Sequence, residues 1–307
     1  VIANSTFHPC YGPISTKRHC KKLYFPTKRG IDVMAAFNDK TKELAIRASS
    51  GLILASIILA SIFLGGNYWF AVASLIGLLS LWEFYQLLSK KFRVSKGIGL
   101  LAGGLILLAS AEHFRPISIL MVLTLTTFIL LLIEILRRQF SHSSYAIWNL
   151  GGTLSGLIYI IFPWSFMVLL RALPLGKLLL FTLFFCTWSC DVAAYLVGSQ
   201  WGKNKFCEAV SPKKTWEGFG GEVGGAMLAS VLMAYYSAMP PFPFLYIGII
   251  CGFAGQLGDL GESLIKREAE VKDSGQLIPG HGGVLDRFDS ILINGTLTFF
   301  LFGVILG

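Results

Sequence analysis

Long, nearly uninterrupted apolar runs dominate the chain and alternate with short polar connections. Runs of about 20 residues are long enough to cross roughly 30 Å of hydrocarbon as α-helix. Most of these runs are apolar on every side, whereas a helix packed in a soluble core carries a single apolar stripe. The pattern therefore predicts an all-α fold, a polytopic transmembrane helical bundle.

Nine membrane spans are predicted, over residues 46–65, 67–87, 96–112, 116–136, 145–170, 176–199, 217–238, 243–265 and 287–307. We divide them into N-terminal membrane helices, residues 46–175, and a C-terminal membrane region, residues 176–307. A basic tail, residues 1–45, precedes both. The tail is expected to be disordered, to be a targeting segment, or to precede the true start, for which Met34 is a candidate.

Composition and loop charge add an orientation to this picture. The chain is 54% hydrophobic and only 14% charged, against about 25% charged residues in a typical soluble domain. If the N-terminus is cytoplasmic, the inner connections are "SKKFRVSKG", "RRQFSHSS", "QWGKNKFCEAVSPKKTWEG" and "KREAEVKDSGQLIPGHGGVLDR". Because these carry nearly all the loop cations, the positive-inside rule predicts a cytoplasmic N-terminus and, with an odd span number, an outer C-terminus.

The acidic residues concentrate near the C-terminal end. Seven of the seventeen lie within 31 residues: Asp259, Glu262, Glu268, Glu270, Asp273, Asp286 and Asp289. A charge placed in the hydrocarbon costs about 2.5–3.5 kcal/mol on insertion scales. Such a concentration at the edge of an apolar protein predicts a functional site there.

Four polar side chains share one face of the eighth predicted helix: Asp259, Glu262, Ser263 and Lys266. Their offsets of three, four and seven residues produce this alignment. Pairing within the helix explains Glu262 and Lys266. It does not explain Asp259, which lies within the apolar part of the span, and we predict a functional role for it.

Asp286 and Asp289 open the ninth predicted helix. Capping and the helix dipole are an alternative explanation for acids in a first turn. The preceding glycines, Gly282 and Gly283, allow backbone N–H groups to approach an anion closely. Carboxylates of two helices meeting at this loop are the hard oxygen ligands that Mg²⁺ requires, so the pattern predicts a site for both metal and phosphate.

Asp191 is a lone acid in the apolar run "TLFFCTWSCDVAAYLVG". An intramembrane acid is a functional candidate, although a structural hydrogen bond to a neighbouring helix explains it equally well.

The segment "SPKKTWEG" precedes the seventh predicted helix. Lys213 and Lys214 are either topology signals or ligands of a phosphate at the helix N-terminus. Thr215 or Ser211 is expected to cap this helix, with Glu217 in its first turn. Neither GxxxxGK[ST] nor a strand-linked GxGxxG occurs, so neither a P-loop nor a Rossmann site is predicted.

The stretch "SLIKREAEVKDSGQLIPGHGGVLDRFD", Ser263 to Asp289, resembles the signature of the phosphatidate cytidylyltransferase family, also called CDP-diacylglycerol synthases. "WSCDVAAYLVG" and "SPKKTWEG" resemble further blocks of that family, so the similarity covers roughly residues 185–307. One departure is Ser199, which follows Gly198 where the family pattern leads us to expect a basic residue.

The resemblance implies that CTP and phosphatidate give CDP-diacylglycerol and pyrophosphate, with Mg²⁺ as cofactor and a second cation left open. It implies that Asp259 and Asp286 hold metal, with Glu262 and Asp289 as secondary ligands. The implied phosphate contacts are Lys266, Arg267, Lys272, His281 and Arg287. The implied substrate-binding residues are Lys213, Lys214, Lys272, Asp273, Gly282, Gly283 and Asp191.

The partners expected from the resemblance are the two substrates and a lipid bilayer, without nucleic acid, and a homodimer stays open. The active site is expected to face the cytoplasm, in a bacterial inner membrane or, if the N-terminus is a transit segment, in a plastid membrane. Three other functions are considered. They are a cytidylyltransferase for another lipid phosphate such as an isoprenoid ether, an ion-coupled transporter using Asp191 and Asp259, and a non-catalytic membrane scaffold.

Overall fold

The structure, a computed structural model, describes residues 28–111, 116–142, 145–278 and 282–306, with side chains from Ile46 onward. The chain forms two compact units, residues 1–43 and residues 44–307. The first unit is described only as the helical backbone of residues 28–43. His281 and the first 27 residues lie outside the described residues.

Ten α-helices occur in the described residues: α1 (Lys28–Leu64), α2 (Gly66–Leu88), α3 (Lys96–Ala111), α4 (Pro116–Ser141), α5 (Ala146–Gly156), α6 (Phe162–Ala172), α7 (Gly176–Trp201), α8 (Trp216–Ser237), α9 (Phe242–Glu268) and α10 (Asp289–Phe299). A π-helical segment, Leu157–Ile161, joins α5 to α6, and another, Phe300–Ile305, extends α10. A short 3-10 helix, Leu285–Arg287, precedes α10.

Each of the nine predicted spans falls on a helix or on continuous helical segments. Six are long and apolar enough to cross a membrane: Ile46–Leu64, Gly66–Leu88, Pro116–Ser141, Ala146–Ala172, Gly176–Trp201 and Phe242–Glu268. Lys96–Ala111 and Asp289–Ile305 are shorter apolar helices, and α8 is not among the six. The all-α membrane class is confirmed, whereas the number nine, the orientation and the division at residue 175 stay predictions.

Helix α1 begins at Lys28, well before the first predicted span. Residues 28–45 are therefore helical, although the sequence predicts a disordered tail there. The segment "MAAFNDKTKELAIRA" contains many good helix formers and continues directly into the apolar run. A helix started in the membrane can propagate through such residues at low cost.

A two-stranded antiparallel hairpin interrupts the helical pattern, pairing β1 (Lys205–Cys207) with β2 (Ser211–Thr215). The apolar pattern of the sequence did not predict this hairpin within the all-α fold. These strands are too short and too polar to show a period-two pattern. The carboxylate of Glu217, in the first turn of α8, accepts hydrogen bonds from the backbone N–H groups of Lys203 and Asn204, so a contact outside the strands ties down the hairpin.

The helices of the C-terminal region pack closely against one another at glycine residues. Helix α8 packs on α7 through Gly221 and Gly225, where an added Cβ would lie 2.8 Å and 2.6 Å from side-chain atoms of Val197 and Ala193. At Gly258 of α9, an added Cβ would lie 2.3 Å from the carbonyl oxygen of Asp289. This contact brings the segment around Asp259 against the start of α10.

The fifth span supports the same region from the other side. Trp164, fully buried on α6, packs edge-on against Phe288 with ring centroids 5.3 Å apart. The π-helical segment before α6 carries Tyr159, whose hydroxyl donates to the carbonyl of Gly258 at 3.4 Å. One continuous helical span therefore contacts both the end of α9 and the start of α10.

We expect Gly258→Ala to lower the thermal stability of the protein, because its methyl group cannot fit between α9 and α10 without moving the backbone of Asp289. Gly224→Ala on α8 is the matched control, because no atom lies within 4 Å of its added Cβ. Glycine in a helix loses more conformational entropy on folding than alanine does. The control variant should therefore be as stable as the wild type or more stable by about 0.5–1 kcal/mol. Equal melting temperatures of both variants in detergent would contradict the role of Gly258.

Candidate functional site

A cavity of about 470 Å³ opens among α7, β2, α8, α9 and the start of α10. Its charged and polar lining comprises Asp191, Ser199, Lys213, Lys214, Thr215, Glu222, Gln256, Asp259 and Ser290. We call it the lysine cavity. The hairpin supplies its two lysines, so the feature that the helical pattern missed forms one wall of the site.

Asp259 projects from α9 into the lysine cavity and pairs with Lys214. The Lys214 Nζ lies 2.5 Å from the Asp259 Oδ2. The Ser263 hydroxyl donates to the other carboxylate oxygen at 3.3 Å. Both charged side chains are partly exposed to the cavity, so solvent or an anionic ligand has access to this ion pair.

Lys266 connects α9 to the segment before α10. Its Nζ donates to Glu262 Oε2 and to Asp286 Oδ1, both at 2.7 Å. The side chains of Glu262 and Asp286 are 1% and 5% exposed, and that of Lys266 is 13% exposed. The sequence prediction that Glu262 and Lys266 pair within the helix is confirmed, and the third partner, Asp286, is added by the fold.

The Asp286 carboxylate also accepts backbone N–H bonds from Ser274 at 2.9 Å and from Gly283 at 2.8 Å. Burial raises the pKa of Asp286, but the hydrogen bonds from Lys266 and Gly283 outweigh it and leave the pKa below its usual value. Asp286 therefore stays ionised at neutral pH. It organises the loop before α10 as well as facing Lys266.

A second cavity, of about 450 Å³, lies beside α1 and α7. Apolar residues of α1 and α7 line one side: Leu54, Ala55, Ile58, Trp188 and Val192. The opposite side carries Asp286, Arg287 and Asp289. We call it the arginine cavity. Asp191 lines both cavities, so it lies where the lysine cavity and the arginine cavity approach each other.

Arg267, Lys272 and Asp273 are predicted site residues that line neither of these two cavities. Arg267 is exposed, and its Nε donates to the carbonyl of Val210 beside the hairpin at 3.3 Å. Lys272 and Asp273 line a different cavity of about 520 Å³ together with Lys90. Their predicted contacts to substrate stay predictions, as does that of His281 outside the described residues.

Gly282 and Gly283 serve the loop rather than an open surface. Gly282 has φ +83°, a backbone conformation that favours glycine. The N–H of Gly283 is already donated to Asp286. For Gly283, the anion that the N–H group binds is therefore a carboxylate of the protein itself, that of Asp286.

Sequence reasoning missed two buried acids beside the site, Glu83 on α2 and Glu222 on α8. Glu222 lines the lysine cavity, and Glu83 contacts the loop before α10. The rule applied to Asp191, that an acid in an apolar run is a functional candidate, would have identified both. The predicted capping by Thr215 is confirmed, because its Oγ1 accepts the N–H of Gly218 at 3.2 Å.

The site contains carboxylates, which are donor groups of the type that bind a divalent cation. Asp289 lies within electrostatic range of Asp259 and Asp191, and carboxylate oxygens are the ligands that Mg²⁺ requires. The Oε1 of Glu262 is buried with no hydrogen-bond partner in the described part of the chain. Across those residues, no three His, Cys, Asp or Glu side chains form a metal-binding group, and Lys214 and Lys266 instead pair with the acids.

These features define a helical membrane protein with charged and polar cavities among its C-terminal helices. The chain belongs to the cytidylyltransferase family, whose model matches residues 45–305. It is 32% identical to the phosphatidate cytidylyltransferase of Synechocystis sp., over 85% of this chain and 97% of that relative. The Bacillus subtilis enzyme of the same name is 32% identical over 84% of this chain and 97% of its own. The Staphylococcus aureus enzyme is 31% identical over 81% and 95%.

Lys266→Met should destabilise the protein by about 3–5 kcal/mol, because it leaves two carboxylates buried without their cation. Adding Glu262→Gln to this variant should recover part of the loss by removing one of those charges. The control is Lys213→Met, whose side chain is exposed. The free energy of unfolding in detergent is measured for all three variants. Equal stability of the single and double Lys266 variants would argue against the pairing of Lys266 with both carboxylates.

Proposed function

We propose that this protein transfers the cytidylyl group of CTP to phosphatidate, forming CDP-diacylglycerol and pyrophosphate. The observation that carries the proposal is the ion cluster of Glu262, Lys266 and Asp286 beside the Lys214–Asp259 pair, held on helices of a membrane protein. Relatives whose printed name is phosphatidate cytidylyltransferase, matched over most of this chain, support the same substrates.

The reaction makes modest demands on acid–base chemistry. A phosphomonoester has a second pKa near 6, so the phosphate of phosphatidate is largely ionised at neutral pH. One of its oxygens attacks the α-phosphorus of CTP, and the bond from that phosphorus to the oxygen bridging to the β-phosphate breaks as pyrophosphate leaves. The protein must bring two anions together and stabilise the developing charge.

The two cavities suggest one substrate each. Lys213 and Lys214 of the lysine cavity provide the cations for the triphosphate of CTP. Arg287 of the arginine cavity provides a cation for the lipid phosphate, and the apolar wall of α1 and α7 accepts the beginning of the acyl chains. Asp191, which lines both cavities, lies near the place where the reacting groups would meet.

We propose Mg²⁺ as the cofactor, held by Asp259 and Asp286 with Glu262 and Asp289 as secondary ligands. When bound, the ion would neutralise charge on the nucleotide phosphates and on the leaving pyrophosphate. Lys214 and Lys266 now pair with Asp259 and Asp286. Both lysines would then be free to contact phosphate oxygens.

The finer topology belongs to the same proposal. With α3, α8 and the α10 segment also crossing the bilayer, the protein has nine spans and a cytoplasmic N-terminus, because the loop cations then fall on one side. The site faces the cytoplasm, where CTP is available. We propose a bacterial inner membrane as its location, since the relatives described above are bacterial.

The experiment that tests the function measures pyrophosphate release by purified protein in detergent with CTP, phosphatidate and Mg²⁺. Asp286→Asn should lower kcat by about 100-fold or more, because it removes the charge that pairs with Lys266 and is proposed to hold the metal. Glu270→Gln, at an exposed acid, is the control and should leave the rate unchanged. A folded wild type that makes no CDP-lipid from any phosphate lipid would refute the proposal.

Lys214→Met should raise the KM for CTP by at least about tenfold, since it removes one charge-assisted contact worth about 1.5–3 kcal/mol. Lys205→Met is the matched control, because this exposed lysine lies on the same hairpin but does not line the lysine cavity. Steady-state kinetics with varied CTP distinguish the two variants. An unchanged KM for CTP in Lys214→Met would show that this lysine does not contribute to nucleotide binding.

A second lipid substrate, such as an isoprenoid ether phosphate, would use the same headgroup chemistry. In the described residues, the side chains of the apolar wall of the arginine cavity are mainly hydrocarbon, which does not distinguish an ester from an ether. Parallel turnover measurements with phosphatidate and the ether lipid therefore establish the substrate preference. Activity restricted to the ether lipid would change the substrate and leave the reaction class intact.

A further inference from the structure

We infer that Glu83 of α2 is a positioning residue for this reaction, which holds the chain segments beside Asp286 and Arg287 in place. The inference rests on the proposed function and adds to it a residue far away in sequence. Glu83 lines neither the lysine cavity nor the arginine cavity. Its effect must therefore be transmitted through the loop that it contacts.

Glu83 is buried, with 1% of its surface exposed. Its Oε2 accepts a hydrogen bond from the backbone N–H of Leu285 at 2.8 Å. The same oxygen accepts the hydroxyl of Ser274 at 3.3 Å. Leu285 immediately precedes Asp286, so one carboxylate oxygen fixes the backbone at the start of the segment that carries two proposed site residues.

Ser274 links Glu83 to Asp286 directly. Its hydroxyl donates to Glu83, and its backbone N–H donates to Asp286 at 2.9 Å. The two acids, one on α2 and one before α10, therefore hold the same residue from opposite sides. A displacement of Ser274 would remove a hydrogen bond that holds the Asp286 carboxylate in place.

Two glycines make the room that the Glu83 carboxylate occupies. At Gly275, an added Cβ would lie 2.3 Å from Glu83 Oε1. At Gly283, it would lie 2.7 Å from Glu83 Oε2 and 2.0 Å from the Ser274 hydroxyl. A side chain at either glycine would require the Glu83 carboxylate to shift from its present position, which favours a specific clamp over incidental packing.

An acid is an expensive way to fill space in a membrane helix. An apolar residue of similar volume would pack there without the cost of desolvating a charge. Glu83 provides what an apolar residue cannot, namely an acceptor for the Leu285 N–H and the Ser274 hydroxyl. Its function is therefore to fix loop geometry, and its loss should reduce turnover more than stability.

The test compares Glu83→Leu, which removes the acceptor but fills the space, with Glu83→Gln, which keeps an acceptor oxygen. Glu83→Leu should fold and should lower kcat by about 100-fold, the effect of misplacing reacting groups by about 1 Å. Its KM for CTP should change by less than about threefold, because nucleotide binding involves other residues. Hydrogen exchange at the Leu285 amide should become faster. Glu83→Gln should resemble the wild type in all three measurements.

Glu134→Leu is the matched control, because Glu134 is another buried acid of an N-terminal membrane helix and accepts a hydrogen bond from Asn149 of α5. It should lower the melting temperature and leave kcat and the Leu285 exchange unchanged. If Glu83→Leu does not fold, Ser274→Ala replaces it. Faster exchange with a reduced kcat then supports the clamp, and no change in either refutes it.

Wild-type kcat and slow exchange in Glu83→Leu would overturn the inference. Loss of activity in Glu83→Gln equal to that in Glu83→Leu would also overturn it, since the charge would then matter rather than the acceptor. If the wild type makes no CDP-lipid, the proposed function fails. The exchange rate at Leu285 still decides, independently of activity, whether Glu83 holds the loop.

Discussion

The contact of Lys266 with Glu262 and Asp286 is the interaction on which the site depends. Lys266 of α9 donates one short charge-assisted hydrogen bond to Asp286 in the loop before α10 and a second to Glu262 on its own helix, within a nearly buried region. Buried charges are tolerated only when they are paired and hydrogen-bonded. Asp286 meets this condition through two backbone N–H groups as well, so the cluster orders the loop while it neutralises its own charge.

Packing of backbone against backbone makes this cluster feasible. Gly258 lets α9 approach the start of α10, and Gly225 lets α8 approach α7. The acids and lysines on these helices are thereby concentrated around two cavities that share Asp191. The hairpin brings in Lys214 from outside the helices, which explains how a protein of membrane helices acquires a cationic wall where it meets water.

Local patterns predicted much of this arrangement, and contacts distant in sequence account for the rest. Apolar run length predicted the helices, and the spacing of Glu262 and Lys266 predicted their ion pair. The pairing of Lys266 with Asp286 and of Lys214 with Asp259 depends on how helices pack, which no single-sequence period encodes. The hairpin was missed because its strands are short and polar. The role of Glu83 was missed because its partners, Ser274 and Leu285, are 191 and 202 residues away in sequence, and no local pattern encodes such contacts.

The π-helical segment Leu157–Ile161 changes the directions in which the side chains of the fifth span point around the helix axis. Because a π-helical turn holds about one residue more than an α-helical turn, the side chains that follow it are set back by about 100° around the axis relative to a regular α-helix. This offset lets Tyr159 face the end of α9 while Trp164 faces Phe288, between Arg287 and Asp289. A regular α-helix of the same length would place one of these two rings elsewhere. The π-helical turn thus sets how the fifth span is rotated about its axis relative to the start of α10.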